Sequence, residues 1–228
     1  MDNNTSFFLE GSKKQGVLLC HTLAGSPSQM VELAKKLNKK GYFVSCPLYP
    51  GHDEDFNDLI KTQVSDWYKT IKEAFNELRK QVEGIYVVGM SVGGTFAVKM
   101  AQEEDLLGII TINAPIIGFD IENDIFNYRR LGNNNELIKI YRKHRTLYFD
   151  FVTRVGQLEE LAKIACPMFV LQGSLDQNRY KTSSQMLMFY ATSEVKQRKD
   201  YSKSAHLLLL EKDKREAIKD IVAFIEAN

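Results

Sequence analysis

The stretch that most constrains this chain is Gly89 to Gly93, a G-x-S-x-G pattern centred on Ser91. The apolar run 85–88 before it predicts a buried strand, and residues 95–101 after it predict a helix. A serine at such a sharp turn needs glycine neighbours, because larger side chains would collide with the flanking strand and helix. The helix N-terminus places an N–H group and a positive dipole end beside the hydroxyl, where an oxyanion would form. The pattern predicts a nucleophilic Ser91, although a simple helix N-cap is the plainer interpretation of the motif alone.

A nucleophilic serine requires a base and an acid that orients the base. His206 lies in a polar loop after a predicted strand and is the candidate base. Asp176 directly follows another predicted buried strand and is the candidate acid, with Asp200 as its rival. Taken singly, a surface histidine and a turn-forming aspartate are the plainer interpretations. Together, each after its own strand and both after Ser91, they predict a Ser-His-Asp triad.

Stabilisation of an oxyanion requires backbone N–H donors on two sides of the reacting carbon. The apolar run 16–20 predicts an early strand, and the loop 21–27 follows it. We assign the two donors to the backbone N–H groups of Leu23, in this loop, and Val92, directly after the serine.

The helix after this loop is predicted to begin with a capping box. Ser26 is the expected N-cap, Pro27 the first helical residue, and Gln29 the side chain that returns to the N-cap. Apolar residues then recur at helical spacing until Gly41, which ends the predicted helix.

With these pieces assembled, the chain resembles the α/β-hydrolase superfamily, and in particular the small capped bacterial serine carboxylesterases related to monoacylglycerol lipases. The matching segments extend from about residue 16 to the end of the chain and are His21–Pro27, Pro47–Asp53, Trp67, Gly89–Gly94, Gly173–Asp176 and Ala205–His206. Two positions depart from the family pattern: Thr22 replaces a usual glycine in the oxyanion loop, and Asp53 replaces a small residue. A β-branched residue restricts the backbone of that loop, but it removes no N–H group.

The resemblance implies a serine carboxylester hydrolase that acts on small to medium acyl esters, including monoacylglycerols, through an acyl-enzyme and without a cofactor. The preference for esters over amides comes from the resemblance, because the triad serves either substrate. A thioesterase or peptidase with the same triad is one alternative, and a ligand-sensing hydrolase fold without turnover is another. The natural ester and the oligomeric state stay open at this stage.

Strands alternate with helices along the chain, which predicts an α/β fold with a mostly parallel central sheet covered by helices on both faces. We expect a single domain over residues 1–228. The predicted elements are strand 17–20, helix 27–40, strand 42–46, helix 65–81, strand 85–89, helix 92–103, strand 107–113, strand 167–171, helix 179–190, strand 194–199 and helix 213–226.

Residues 115–160 interrupt this alternation and are too many for a bare loop. Helical patches around 135–148 predict a small, mainly helical cap inserted after strand 107–113. We expect the cap to cover Ser91, with some of its large apolar residues lining an acyl pocket. The candidates are Phe119, Ile121, Ile125, Phe126, Tyr128, Tyr148 and Phe149.

The remaining histidines receive structural interpretations. His21 and His52 are expected to hydrogen-bond backbone groups near the site, whereas His144 lies among basic residues and is predicted to face solvent. No histidine or cysteine spacing is typical of a metal site.

Charge and composition favour an enzyme of a reducing compartment. The 30 basic and 29 acidic residues give a net charge of +1, which offers no reason to expect nucleic acid or an anionic membrane as partner. The N-terminal residues lack the features of a signal peptide, and no apolar run is long enough to span a bilayer. Three cysteines in or beside predicted strands are expected as core thiols, so a cytoplasmic location is the expectation.

Overall fold

The computed structural model describes residues 4–52, 55–117 and 134–228. Two single 3₁₀ turns, Pro27–Met30 and Leu208–Leu210, accompany the regular elements. In chain order these elements are β1 (Phe7–Leu9), β2 (Gln15–Cys20), α1 (Val31–Lys39), β3 (Phe43–Cys46), α2 (Phe56–Leu59), α3 (Val64–Arg79), β4 (Gly84–Met90), α4 (Val92–Glu103), β5 (Gly108–Ile112), α5 (Asn135–Val155), α6 (Leu158–Leu161), β6 (Met168–Gly173), α7 (Asn178–Tyr190), β7 (Lys196–Tyr201) and α8 (Lys214–Ala227).

The strands of the described residues form one 7-stranded sheet in the order β1-β3-β2-β4-β5-β6-β7. Every neighbouring pair is parallel except β1 with β3. The register brings Cys20 opposite Gly89 and Met90 opposite Ile112, so the carboxyl ends of the central strands lie at one edge. In open sheets of this kind, that edge is where ligands bind.

Helices cover both faces of the sheet, since the central strands are apolar on both sides. One face packs against α3, α4, α6 and α7, with Trp67 and Phe96 among its fully buried side chains. The other face packs against α1 and α8, with Leu37 and Ile221 in its core. The predicted α/β architecture, a mostly parallel central sheet with helices on both faces, is therefore confirmed.

The observed elements differ from the predicted ones in several places, and the short helices α2 and α6 are among the elements not predicted. Strand β1 is not predicted from the sequence, because a three-residue edge strand with half-exposed side chains leaves almost no pattern. The helix predicted over 27–40 begins as a 3₁₀ turn and becomes α-helical at Val31. The helical patches around 135–148 belong to the longer helix α5, whose N-cap Asn134 accepts a hydrogen bond from the Leu137 N–H at 3.1 Å.

The cap remains a prediction, because residues 118–133 lie outside the described residues, as does Asp53. Helix α5, which lies within the segment 115–160, packs across α3 and α4. The ring of Phe151 lies 5.6 Å from that of Phe96 and 5.9 Å from that of Tyr68.

Candidate active site

Ser91 occupies the tight turn between β4 and α4. Its backbone has φ 56° and ψ −125°, a conformation that non-glycine residues seldom adopt. The turn also requires Gly89 and Gly93: a Cβ atom on Gly89 would lie 2.0 Å from the Gly93 carbonyl oxygen, and one on Gly93 would lie 2.1 Å from the Cys20 carbonyl oxygen. The glycines therefore let β2, β4 and α4 approach closely enough to form the turn.

The structure brings Ser91, His206 and Asp176 into one chain of hydrogen bonds. His206 Nε2 lies 2.9 Å from Ser91 Oγ, and His206 Nδ1 lies 2.8 Å from Asp176 Oδ2. An ionised carboxylate only accepts, so Nδ1 carries the proton and Nε2 accepts from the serine hydroxyl. The Asp176 side chain is only 3% exposed, and its other oxygen accepts from the Gln177 N–H at 2.8 Å. The imidazole is thus held in the tautomer that a general base requires.

Asp200, the rival acid, is directed elsewhere. It lies on β7 and forms an ion pair with Arg198 at 2.7 Å, with its side chain 49% exposed. A carboxylate so accessible to water and already paired is a poor orienting group for the His206 imidazole.

The loop between β2 and α1 anchors Thr22, the residue before Leu23, through its carbonyl, its N–H and its hydroxyl. The Thr22 carbonyl accepts from His21 Nδ1–H at 2.9 Å and from the Gly25 N–H at 3.2 Å. The Thr22 N–H and Oγ1–H both donate to Gln29 Oε1, at 3.1 and 3.0 Å. Because a peptide unit is planar, anchoring the Thr22 carbonyl also sets the direction of the Leu23 N–H.

The predicted capping box is wrong. The Ser26 side chain makes no cap hydrogen bond and instead contacts Asn4 and Ser28. Gln29 does not return to Ser26, because its side-chain oxygen is occupied by Thr22. The predicted N-cap position of Ser26 and first position of Pro27 hold for the 3₁₀ turn, but the Gln29 side chain binds the preceding loop instead.

The two predicted donors, Leu23 and Val92, have N–H groups to which no acceptor is assigned within residues 4–52, 55–117 and 134–228. Val92 is the first residue of α4, and N–H groups in a first helical turn have no partner inside the helix. Such groups are suited to an anionic oxygen.

The structural interpretation of His21 and His52 is confirmed. His21 donates to the Thr22 carbonyl, and His52 Nδ1 lies 3.1 Å from the Pro50 carbonyl oxygen. Burial and, secondly, the nearby His52 lower the pKa of His21 to about 3. The ring stays neutral near pH 7, so its Nε2 can accept the Tyr49 N–H at 3.4 Å.

The prediction for His144 is wrong, because this residue is buried rather than solvated. It lies on α5 with its ring 5.3 Å from the ring of Trp67 on α3. Its Nε2 atom is buried without a hydrogen-bond partner among the described residues. Burial lowers the pKa of His144 to about 4. The basic residues next to it in the sequence, Arg142, Lys143 and Arg145, lie on other faces of the helix. The local composition therefore predicts an exposed position although His144 itself is buried.

Asn113 and Gln29 are two polar residues of this site whose contacts the sequence analysis did not anticipate. Asn113, in a left-handed conformation at φ 49°, is 1% exposed and bridges the ends of β5 and β6 to the His206 loop. A polar residue directly after a buried strand was the available signal, as it was for Asp176.

Two further features are absent from the part of the chain that the structure describes. No group of three or more His, Cys, Asp or Glu side chains in that part of the chain could hold a metal ion. Likewise, no described helix has the length and apolar character needed to cross a bilayer.

Comparison with known proteins identifies the family. The alpha/beta hydrolase fold family matches residues 16–190, more than half of the chain. The chain is 27% identical to a carboxylesterase of Bacillus subtilis (strain 168), over 96% of this chain and 95% of that protein. It is 36% identical over 102 residues to a thermostable monoacylglycerol lipase of Bacillus sp. (strain H-257), which covers 44% of this chain and 41% of that protein. A metagenome-derived lipolytic enzyme has a similar fold, with a TM-score of 0.83 at 21% identity over 100% of this chain and 99% of that one.

The chain therefore belongs to the alpha/beta hydrolase family, as its resemblance implied, and it is a hydrolase enzyme.

Proposed function

We propose that the protein is a serine carboxylester hydrolase in which Ser91 is the nucleophile, His206 the general base and Asp176 the orienting acid. One observation carries the proposal: the unbroken hydrogen bonds of 2.9 Å from Ser91 to His206 and 2.8 Å from His206 to Asp176. A strained serine, a base in the correct tautomer and a buried carboxylate together are what acyl transfer requires.

The reaction follows from these positions. Ser91 Oγ attacks the ester carbonyl carbon while His206 Nε2 takes the hydroxyl proton. The imidazolium, stabilised by the Asp176 carboxylate, then donates that proton to the leaving alcohol, which leaves an acyl-enzyme. Water attacks the acyl-enzyme with His206 again as base, and the carboxylic acid is released with Ser91 regenerated.

The Leu23 and Val92 N–H groups are proposed to stabilise the oxyanion of both tetrahedral intermediates. Support comes from the absence of assigned acceptors for these two groups within the described residues and from the hydrogen bonds that hold the Thr22–Leu23 peptide. Donors whose directions are set before the reaction need no reorganisation as negative charge develops.

The proposed substrates are small to medium acyl esters, with monoacylglycerols among them. The curated relatives support this class, since one is a carboxylesterase and another a monoacylglycerol lipase. Residues 115–160, as a cap, would enclose the acyl chain, and each enclosed methylene adds about 0.8 kcal/mol of binding until the pocket is full.

The nucleophile is tested by Ser91→Ala on a panel of aryl esters of increasing acyl length, with matched thioesters and amides. We expect turnover of the esters, fluorophosphonate labelling of the wild type, and a fall in kcat of about 10⁴-fold or more in the folded variant. Activity retained by folded Ser91→Ala would refute the proposal. Faster turnover of thioesters or amides would favour a thioesterase or a peptidase. If the wild type is neither labelled nor active on any substrate, the result would favour a ligand-sensing protein.

The acid is tested by Asp176→Asn, with Asp200→Asn as the matched control. We expect Asp176→Asn to lower kcat by about 10²–10⁴-fold with KM nearly unchanged, because the amide no longer orients the imidazole. Asp200→Asn loses an exposed ion pair and should remain close to the wild type. The reverse result would move the acid to Asp200 while leaving the mechanism intact.

A further inference from the structure

The loop that carries His206 has no regular secondary structure, so its backbone must be held by other groups. The carbonyl groups of this loop are bound by Asn113, at the end of β5. Its Nδ2 donates to the Ala205 carbonyl at 2.8 Å and to the His206 carbonyl at 2.7 Å. Both amide hydrogens are therefore used on the peptide units next to the imidazole.

The N–H groups of this loop are bound by Glu211. Its carboxylate accepts from the N–H groups of Ala205 and Leu207, the residues directly before and after His206. The Leu207 bond measures 2.9 Å. Hydrogen bonds from N–H groups to a carboxylate are stronger than those between neutral groups, so the loop is clamped firmly on this side.

Asn113 also connects the base to the acid. Its Oδ1 accepts from the Gly173 N–H at 2.7 Å, and Gly173 ends the strand that leads to Asp176. A Cβ atom on Gly173 would lie 2.0 Å from the Ala205 carbonyl oxygen, so the β6 end and the His206 loop are in direct contact. One amide side chain thus sets the spacing between the segments that carry Asp176 and His206.

We propose that Asn113 and Glu211 are positioning residues that hold His206 at hydrogen-bond distance from both Ser91 and Asp176. The proposal rests on the function proposed above. Each residue acts by fixing the peptide units around the base. Because catalytic geometry is sensitive to displacements of about 1 Å, release of either holder should affect the chemical step more than substrate binding.

Three variants test the proposal. Asn113→Gly suits the left-handed backbone and deletes the amide, whereas Asn113→Asp keeps the size and turns a carboxylate oxygen toward two carbonyls. Glu211→Gln keeps the shape but replaces one acceptor by a donor that faces an N–H. Glu216→Gln is the matched control, because Glu216 is an exposed residue of α8 paired with Lys199 at 2.7 Å.

The measurements are kcat and KM on the best ester, the rate of fluorophosphonate labelling of Ser91, and the downfield proton resonance of the His206 Nδ1–H. We expect about a tenfold or larger loss of kcat in the folded variants, KM within about twofold, equally slowed labelling, and a broadened or shifted resonance. The control should match the wild type in every measurement.

Suppose that the wild-type esterase activity depends on Ser91 but the folded variants keep the wild-type kcat and labelling rate. This result would overturn the present inference and leave the proposed function standing. A fall in kcat that is fully explained by a smaller fraction of protein able to react with the fluorophosphonate would also overturn it. Such a result would indicate a purely structural role for the residue. If the Asn113 variants do not fold, the near-isosteric Glu211→Gln decides alone. Activity that does not depend on Ser91 would instead refute the proposed function.

Discussion

At the scale of single residues, the loop between β2 and α1 shows how the fold accommodates Thr22 where the family resemblance leads us to expect glycine. Thr22 replaces a glycine, and its hydroxyl would require a partner in this buried loop. Gln29 Oε1 accepts both the hydroxyl and the N–H of Thr22, at 3.0 and 3.1 Å. The β-branched residue therefore adds an anchor to the peptide that carries the proposed Leu23 donor.

This arrangement predicts different effects for two substitutions at Gln29. Gln29→Leu removes the acceptor, so the Leu23 peptide is less firmly held and kcat should fall by up to about tenfold, less than loss of a whole oxyanion donor. Gln29→Glu retains an acceptor oxygen and should lose much less. Steady-state kinetics and affinity for a boronic-acid transition-state analogue would measure both effects. Equal kinetics for folded Gln29→Leu and wild type would show that His21 and the Gly25 N–H suffice to hold the peptide.

At the scale of elements, α5 packs across α3 with a histidine facing the interior. His144 lies against Trp67, and the adjoining ring pair Phe56 and Tyr141 is 5.9 Å apart between centroids. Burial lowers the pKa of His144 to about 4, whereas the unfolded chain has the ordinary value of about 6.5. Between these pH values the unfolded chain binds a proton that the native chain does not. The contact of α5 therefore loses stability as the pH falls through this range.

His144→Leu should reduce this pH dependence. An apolar side chain keeps the packing and removes the proton linkage, so the slope of unfolding free energy against pH should decrease by up to about 1.4 kcal/mol per pH unit between pH 4 and 6.5. Urea unfolding of both proteins at pH 5 and pH 8 measures the change. Part of the slope should persist, because burial also lowers the pKa of His21, to about 3. Identical slopes would mean that His144 is protonated in the native protein.

At the scale of the whole molecule, the sheet order assembles the site. Ser91 and His206 are separated by 115 positions in the chain, yet their side chains meet. They meet because β4, β5, β6 and β7 are parallel neighbours, so the segments that follow their carboxyl ends share one edge of the sheet. Asp176 after β6 and Asn113 after β5 reach the same edge for the same reason.

Local patterns determined a large part of this protein. The apolar runs and helical spacings were sufficient for the order of the longer strands and helices, although not for β1, α2 or α6, because burial on a sheet or a helix imposes a period that the sequence displays directly. The turn at Ser91 was equally evident, since only glycine permits the close approaches around it. The candidate residues His206 and Asp176 followed from polar positions directly after strands.

Only the tertiary structure decided which distant groups meet. It placed Asp176 rather than Asp200 beside His206, turned His144 inward, and used Gln29 to anchor Thr22 instead of capping a helix. Each outcome depends on how a helix is rotated or which strand ends are neighbours, and local periodicity does not encode these properties. A buried polar group must find a hydrogen-bond partner wherever the fold supplies one. For Asn113 the partners lie 60, 92 and 93 positions along the chain, and only the order of the strands brings them together.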